Sequence, residues 1–481
     1  MKMILLLKQK GVVMKSISAL KVGIIVKLTV FLMAGALFAG EGALTGEDII
    51  QMRSTLMMDT HTRTMYNAVT NNNIKELALN RDLLQQSNEV FSHKIKTKGI
   101  TNQKSSGRCW LFAGLNIMRP AVIERYKLNK FEFSQNYLAF WDKMEKANCF
   151  LEYIIEFRDR DPLDREMEII LRSPFGDGGW WKYVVELIEK YGVVPKEIMP
   201  ETNSSSNTGM MNKIISRKLR ADAVMLRDLH RQGRSVEELR AEKNKMLTEI
   251  YRMLVINLGE PPTEFKYRFE DRDSVVSSMK TYTPKSFFEN FVGVDLNEYV
   301  NIFNDPTKEY GNHYTLRLSR NIYDGYDINY ANVEIEKLKN VAMKSILDDE
   351  PVWFACDVGK DQSKKHGLMA MDIYDYSSIY NTSLDMTKAE RALYRESAPN
   401  HAMVFIGIDI DDGKPVKWLV ENSWGSDKGN DGRWSLYDTW FDNHVYNVIV
   451  KKKFVPKDIL KIYELDPVIL PPWDPMYSML K

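Results

Sequence analysis

The pattern of this 481-residue chain changes period near Val333, and that change limits the folds open to it. Downstream, residues 351–358, 401–409, 416–421 and 446–450 are short runs rich in β-branched and aromatic side chains, so they read as strands of a mostly antiparallel sheet. Upstream the apolar spacing is helical. Within residues 206–258, Ile215, Leu219, Leu226 and Leu229 make one stripe, and Leu239, Met246, Ile250 and Met253 make another. Gly233 closes the first of these helices, Ser235-Val-Glu-Glu238 opens the second as a capping box, and Pro261-Pro262 stops it. The pair reads as a helical hairpin, either an inserted module used in oligomerisation or a hairpin packed on its own domain. A helical half followed by a β half is the α+β class, and the length suits two or three domains.

The first 39 residues differ from the rest. They carry six lysines and no acid, and end in the twelve-residue apolar run Leu28-Thr-Val-Phe-Leu-Met-Ala-Gly-Ala-Leu-Phe-Ala39. That run is shorter than the ~20 residues needed to span a bilayer. With small residues just before Glu41, it reads as a secretory signal that is cleaved, leaving no stable membrane insertion; Met14 is an alternative start, and an uncleaved anchor the alternative fate. Without these lysines the remaining 60 basic residues face 65 acidic ones, a net charge of −5. A mildly acidic body gives no electrostatic reason to expect nucleic acid as a partner. Mean hydropathy of −0.35 excludes a polytopic membrane protein.

Three cysteines, Cys109, Cys149 and Cys356, are too few for a disulfide framework, and their odd number leaves at least one free thiol. Cys149 and Cys356 sit in apolar text and read as core residues. Cys109 follows the loop Ser105-Ser-Gly-Arg108 and opens the helix-like segment Cys109-Trp-Leu-Phe-Ala-Gly-Leu-Asn-Ile-Met118. A thiol at a helix N-terminus faces the positive end of the macrodipole, which favours the nucleophilic thiolate. Gln103, six positions upstream, is a side-chain amide able to join the Cys109 N–H in stabilising an oxyanion. Of seven histidines, His401 begins an apolar strand, where a side chain can project from a sheet end into a cleft. The next strand delivers Asn422-Ser-Trp-Gly425: Asn422 suits the orientation of an imidazole, and Trp424 the shielding of that bond from water. Cys, His and Asn in this order form a nucleophile, base and orienter set. No zinc-type Cys/His spacing and no His-Glu-x-x-His segment occurs, so no metal or other cofactor is expected.

Gln103, Cys109-Trp110, His401-Ala-Met403 and Asn422-Ser-Trp-Gly425 together resemble the papain superfamily. The segment Thr101-Asn-Gln-Lys-Ser-Ser-Gly-Arg-Cys-Trp-Leu-Phe112, with Ser134-Gln-Asn-Tyr137, Ser173-Pro-Phe-Gly-Asp-Gly-Gly-Trp180 and Trp473-Asp-Pro-Met476, is similar to its bleomycin hydrolase and aminopeptidase C branch over about residues 60–481. The resemblance implies a papain-like two-domain fold, with a helical left domain and a β-barrel-like right domain. Along this chain that means a signal over 1–39, a helical domain carrying the nucleophile over 40–204, an inserted helical module over 205–330, a β domain with His401 and Asn422 over 331–455, and a C-terminal arm over 456–481. It further implies Cys109 as nucleophile, His401 as general base and then acid, Asn422 as orienter and Gln103 as oxyanion donor. Gly178 and Gly179 become the backbone edge that meets an extended peptide, with Trp424 and Lys481 also near substrate.

In this branch the arm lies in the cleft and its terminal carboxylate meets the substrate ammonium, which makes an exopeptidase. The chain departs from the pattern at Tyr477, Met479 and the terminal Lys481, and we expect Lys481 to be trimmed to leave a Leu480 carboxylate. The expected activity is broad removal of N-terminal residues from peptides. The alternatives are a papain-like endopeptidase or an idle peptide-binding protein. The branch also implies a homo-hexamer and is usually cytoplasmic, whereas the leader implies a periplasmic or secreted enzyme.

Overall fold

The computed structural model describes residues 42–478, so both the segment read as an export signal and Lys481 lie outside the described residues. These residues divide into two compact units. The smaller runs to Ala78 and includes Ser378–Asn381. Its helices Gly46–Thr55 and Thr60–Asn71 start from the acceptor side chains of Thr45 and Asp59. The larger unit contains every residue of the site described below. Among the described residues no helix is long and apolar enough to cross a membrane.

The larger unit is built on a twelve-stranded mixed sheet. From one edge the strands run Val468–Leu470, His313–Leu316, Asn329–Asn332, Tyr299–Phe303, Val445–Lys451, Val352–Cys356, His401–Asp411, Lys414–Glu421, Arg433–Tyr437, Leu368–Met369 and Gln362–Ser363, with His93–Lys94 added beside His401–Asp411. The central strands are fully buried over Val352–Cys356, which explains their continuous apolar text. Their register sets His401 opposite Cys356. The helix Ile335–Leu347 packs its Leu338, Val341, Ala342 and Ile346 face on this sheet.

The nucleophile helix, Cys109–Asn116, is buried along its whole length and packs against the His401–Asp411 strand. Apolar on all sides, it is a core helix rather than an amphipathic surface one. Gly114 admits the neighbouring helix Trp181–Tyr191: a Cβ there would stand 2.7 Å from a Val184 methyl. The long helix Gln135–Glu156 lies alongside, and the pair Gly209–Arg231 and Val236–Leu258 packs on it through Leu219, Leu226, Leu239 and Ile250. The hairpin is therefore packed on the helix Gln135–Glu156.

One expectation needs correction. The module assigned as helical over 205–330 contributes the strands Tyr299–Phe303 and His313–Leu316, and Asn329–Asn332 crosses its end. The segment is rich in Asn and Asp, whose side chains bond internally: Asn332 Nδ2 donates to the Asp305 carbonyl at 3.0 Å, and Asn304 Nδ2 to that of Val333 at 2.9 Å. Buried amides thus replace the apolar alternation that would have announced strands. The tail pairs Val468–Leu470 in parallel with His313–Leu316 and forms a helical turn at Pro475–Ser478.

Candidate active site

Cys109 occupies the first turn of its helix, preceded by Arg108, whose side chain makes no cap hydrogen bond. The loop before it is tied to itself. Gln103 Nε2 donates to the Ser106 carbonyl at 2.5 Å, Ser106 Oγ to the Gln103 carbonyl at 2.6 Å, and Arg108 Nε to Ser106 Oγ at 3.0 Å. The buried Arg108 guanidinium then grips Glu201 through two parallel bonds of 3.1 and 2.8 Å. A turn rich in Gly and Ser is thereby held in one shape.

The strand end carrying His401 and the strand end carrying Asn422 are antiparallel neighbours, which brings the two side chains together. Asn422 Oδ1 accepts the Ser423 N–H at 2.8 Å, and this fixes which amide atom is oxygen. His401 Nε2 lies 2.9 Å from the same oxygen and must donate, so Nδ1 is the basic nitrogen. The Trp424 ring lies tilted at 35° against the imidazole, with centroids 4.9 Å apart.

Cys109, His401, Gln103, Gly107, Gly178 and Gly179 line one cavity of about 220 Å3, with Trp180, Ala402 and Asn400. The structure thus brings the sequence-identified nucleophile, base, amide donor and glycine edge to one place, with Asn422 and Trp424 behind the base. Lys481 is outside the described residues.

Burial dominates the electrostatics. It pushes the Cys109 thiol up to about 11, against hydrogen bonds from the Ala402, Trp110 and Cys109 backbone amides, and the Asp177 charge adds to the rise. It also brings the His401 imidazole down to about 4, against its bond to Asn422 and with help from the Lys364 charge. The helix-terminal amides act in the direction the sequence led us to expect, but desolvation outweighs them. Burial thus favours the neutral form of each group.

Several residues, some of them inside the quoted motifs, had no role assigned from the sequence. Ser423 Oγ donates to Gln103 Oε1 at 2.7 Å and the Gln103 N–H to the Ser423 carbonyl at 2.8 Å, which orients the amide so that Nε2 faces the Ser106 carbonyl. The Asp177 carboxylate accepts from Gly107 N–H at 2.9 Å, Thr208 Oγ1 at 2.5 Å, Asn212 Nδ2 at 2.7 Å and Lys143 Nζ at 2.7 Å, and is held well below the usual carboxylate range despite its burial, chiefly by Lys143. Its carbonyl accepts from Trp110 Nε1 at 2.8 Å. Lys143 and Lys146 donate to the Gly176 carbonyl at 2.9 and 3.1 Å, and Lys146 also to that of Gly178 at 2.7 Å. A lysine pair three apart on a helix reads as solvent-facing, so only the fold reveals it as the clamp of the glycine edge. Gly179 has an internal reason to be glycine: a Cβ would sit 2.4 Å from Trp110 Cε2.

The tail reaches this edge. Arg165 covers the Trp473 ring at 4.0 Å and Lys308 pairs with Asp474 at 2.9 Å. Met476 and Tyr477 are buried; Tyr477 stacks on Trp180 at 6.4 Å and shares a hydrogen bond with Tyr183. It lines a second cavity, of about 100 Å3, that shares Gly178, Gly179 and Trp180 with the first.

A profile of the Peptidase C1-like family matches residues 43–477. Aminopeptidase C of Streptococcus thermophilus is 41% identical over 416 residues, 86% of this chain and 94% of that protein. Human bleomycin hydrolase is 38% identical over 448 residues, 91% of this chain and 98% of that protein. The crystal structure of PepW from Lactobacillus rhamnosis superposes with a TM-score of 0.88 at 40% identity, covering 91% of this chain and all of that one. The fold is accordingly the mixed α/β papain-like one. The chain belongs to the Peptidase C1-like family, within its aminopeptidase C and bleomycin hydrolase branch, and is a cysteine-type aminopeptidase.

Proposed function

We propose that this enzyme removes N-terminal residues from short, unfolded peptides through a thioacyl-enzyme on Cys109, and that its C-terminal arm sets the exopeptidase limit. In this reading His401 Nδ1 takes the thiol proton as sulfur attacks the carbonyl carbon of the first residue. The carbonyl oxygen, now anionic, lies between the Cys109 N–H and Gln103 Nε2. His401 then gives its proton to the leaving nitrogen, the shortened peptide departs, and a water activated by the same imidazole hydrolyses the thioester. Asn422 holds the ring, and Gly178–Gly179 carries the backbone of the bound residue. The nucleophile, base and oxyanion donors are all groups of this chain, so these steps call on no cofactor.

The observation that carries the exopeptidase reading is Tyr477 stacked on Trp180 beside the glycine edge, where a longer acyl portion would have to run. The test is hydrolysis of a free and an N-acetylated peptide by wild type, Cys109→Ala, Tyr477→Ala and a chain ending at Pro475. We expect wild type to cleave only the free peptide, the Cys109 variant to cleave neither, and the two arm variants to gain the blocked one. Equal cleavage of both by wild type would instead assign an endopeptidase. We further propose export directed by residues 1–39, removal of Lys481 by the enzyme itself, and a homo-hexamer. N-terminal sequencing after cell fractionation, intact mass beside Cys109→Ala, and light-scattering mass against the 55.9 kDa chain test these in turn.

A further inference from the structure

The leaving peptide must lie beside His401, because that imidazole returns the proton to its nitrogen. The glycine edge lines the cavity with Cys109 and His401 and meets Tyr477 in a second one, while the Trp424 indole lines neither and packs on the imidazole. In the proposed reaction the acyl part lies along the glycine edge and the leaving group runs past the Trp424 flank. Over that indole, 4.6 Å from its ring, stands the exposed ammonium of Lys364. Among the described residues Lys364 has no carboxylate partner.

The turn that presents it is firm. Gln362–Ser363 pairs with Leu368–Met369, the Gly429 N–H donates to the Lys364 carbonyl at 3.2 Å, and Ser363 Oγ lies 2.8 Å from His366 Nδ1. Gly367 turns the chain at φ +62°, where a Cβ would meet the Asn430 nitrogen at 2.9 Å. An ammonium held over an indole keeps its stem on apolar surface and its charge towards the groove.

We propose that Lys364 is a specificity-determining residue that binds the carboxylate of the leaving group, so that di- and tripeptides with a free C-terminus are favoured substrates. The inference rests on the aminopeptidase reading and adds a substrate class to it. At about 3.5 Å per residue, the carboxylate of a dipeptide lies one residue beyond the scissile carbon and that of a tripeptide two, both within reach of a lysine stem anchored beside His401. A bound carboxylate also neutralises the charge that Lys364 sets against a protonated His401, so binding and acylation gain together.

The experiment compares kcat/KM for Ala-Ala, Ala-Ala-NH2 and Ala-Glu-NH2 with wild type, Lys364→Met and Lys364→Arg. Wild type should favour Ala-Ala over its amide by about three- to tenfold, a preference that shrinks in salt. Lys364→Met should bring Ala-Ala down to the rate of the amide, and Lys364→Arg should restore the difference. Ala-Glu-NH2 separates the two sources of a carboxylate: a preference for it alone, without one for Ala-Ala, would overturn the assignment to a chain terminus. Equal rates for Ala-Ala and its amide in wild type, or a preference that survives Lys364→Met, would overturn the role of Lys364. Failure to cleave any of the three would remove the aminopeptidase reading and this inference with it, a result distinct from equal cleavage.

Discussion

Asp177 is the residue on which the site's architecture turns, and its pairing with Lys143 gives a measurable consequence. The two side chains are 12% and 2% exposed and 2.7 Å apart. Removing one partner of such a pair strands the other charge, at a cost of about 3–5 kcal/mol. Asp177→Asn keeps the shape and one acceptor but leaves the Lys143 ammonium with only the Gly176 carbonyl and neighbouring Asp142, so we expect a loss of about 3 kcal/mol. Lys143→Met should cost about 2 kcal/mol, because Asp177 keeps Gly107, Thr208 and Asn212 as donors. Removing both charges relieves both stranded groups, and the double variant should lose about 2 kcal/mol, less than Asp177→Asn alone. Urea unfolding followed by tryptophan fluorescence measures all four corners of the cycle. Losses that add to within about 0.5 kcal/mol would refute the reasoning, since the residues would then not interact. Acid supplies a second check. A carboxyl depressed in the folded state stabilises above its unfolded pKa, near 4, and that stability is lost as pH falls below it; the Asn variant should lack this part of the acid dependence.

Two further expectations follow from the site. Gln103→Ala removes an oxyanion donor and should lower kcat by about 10²–10³-fold, whereas Ser423→Ala only frees the amide to rotate and should lower kcat by about tenfold with KM little changed; steady-state kinetics separate them, and equal effects would deny Ser423 its orienting part. His401, brought down to about 4 from its ordinary 6.5, is neutral in the fold, so its contribution is complete above pH 6.5 and is lost as pH falls towards 4. Wild type should therefore lose up to about 3 kcal/mol more than His401→Ala between pH 7 and 4, and parallel denaturation curves at the two pH values for both proteins would count against it.

That Cys109, His401 and Asn422 come together was legible in the sequence because each candidate role demands one residue type and few are on offer: three cysteines, seven histidines, and an Asn at the end of the strand after His401. The nucleophile's place at a helix start and the base's at a strand start came with it. The supports were not legible, because they are polar residues acting far from their own position in the chain. Ser423 serves Gln103 across 320 positions, and Asp177 gathers Gly107, Lys143 and Thr208 from three separate segments. Lys143 and Lys146 carry the residue type that ordinarily marks a solvated face. Gly179 shows the reverse case. Its lack of a side chain read as room for substrate backbone, while the contact that forbids a Cβ is the indole of Trp110.

That indole links packing to chemistry. Trp110 follows the nucleophile, donates to the Asp177 carbonyl, and fills the space a side chain at 179 would take, while its own carbonyl accepts from Trp353 Nε1 at 3.1 Å in the strand beside His401. The loop before Cys109, the glycine edge and the strand beside His401 are therefore tied together through Trp110, by its ring and its backbone carbonyl, as well as through Asp177. This matters because burial works against charge on both Cys109 and His401. In the proposed reaction, negative charge forms on sulfur only as it passes to the carbonyl oxygen, so stabilisation has to be in place before the charge appears. The Cys109 N–H already faces the sulfur in the resting enzyme and is also the donor proposed for the oxyanion. A donor shared by both ends of the displacement can follow the charge without moving, provided that the helix start and the loop keep their register, and the ties through Trp110 and Asp177 supply that condition.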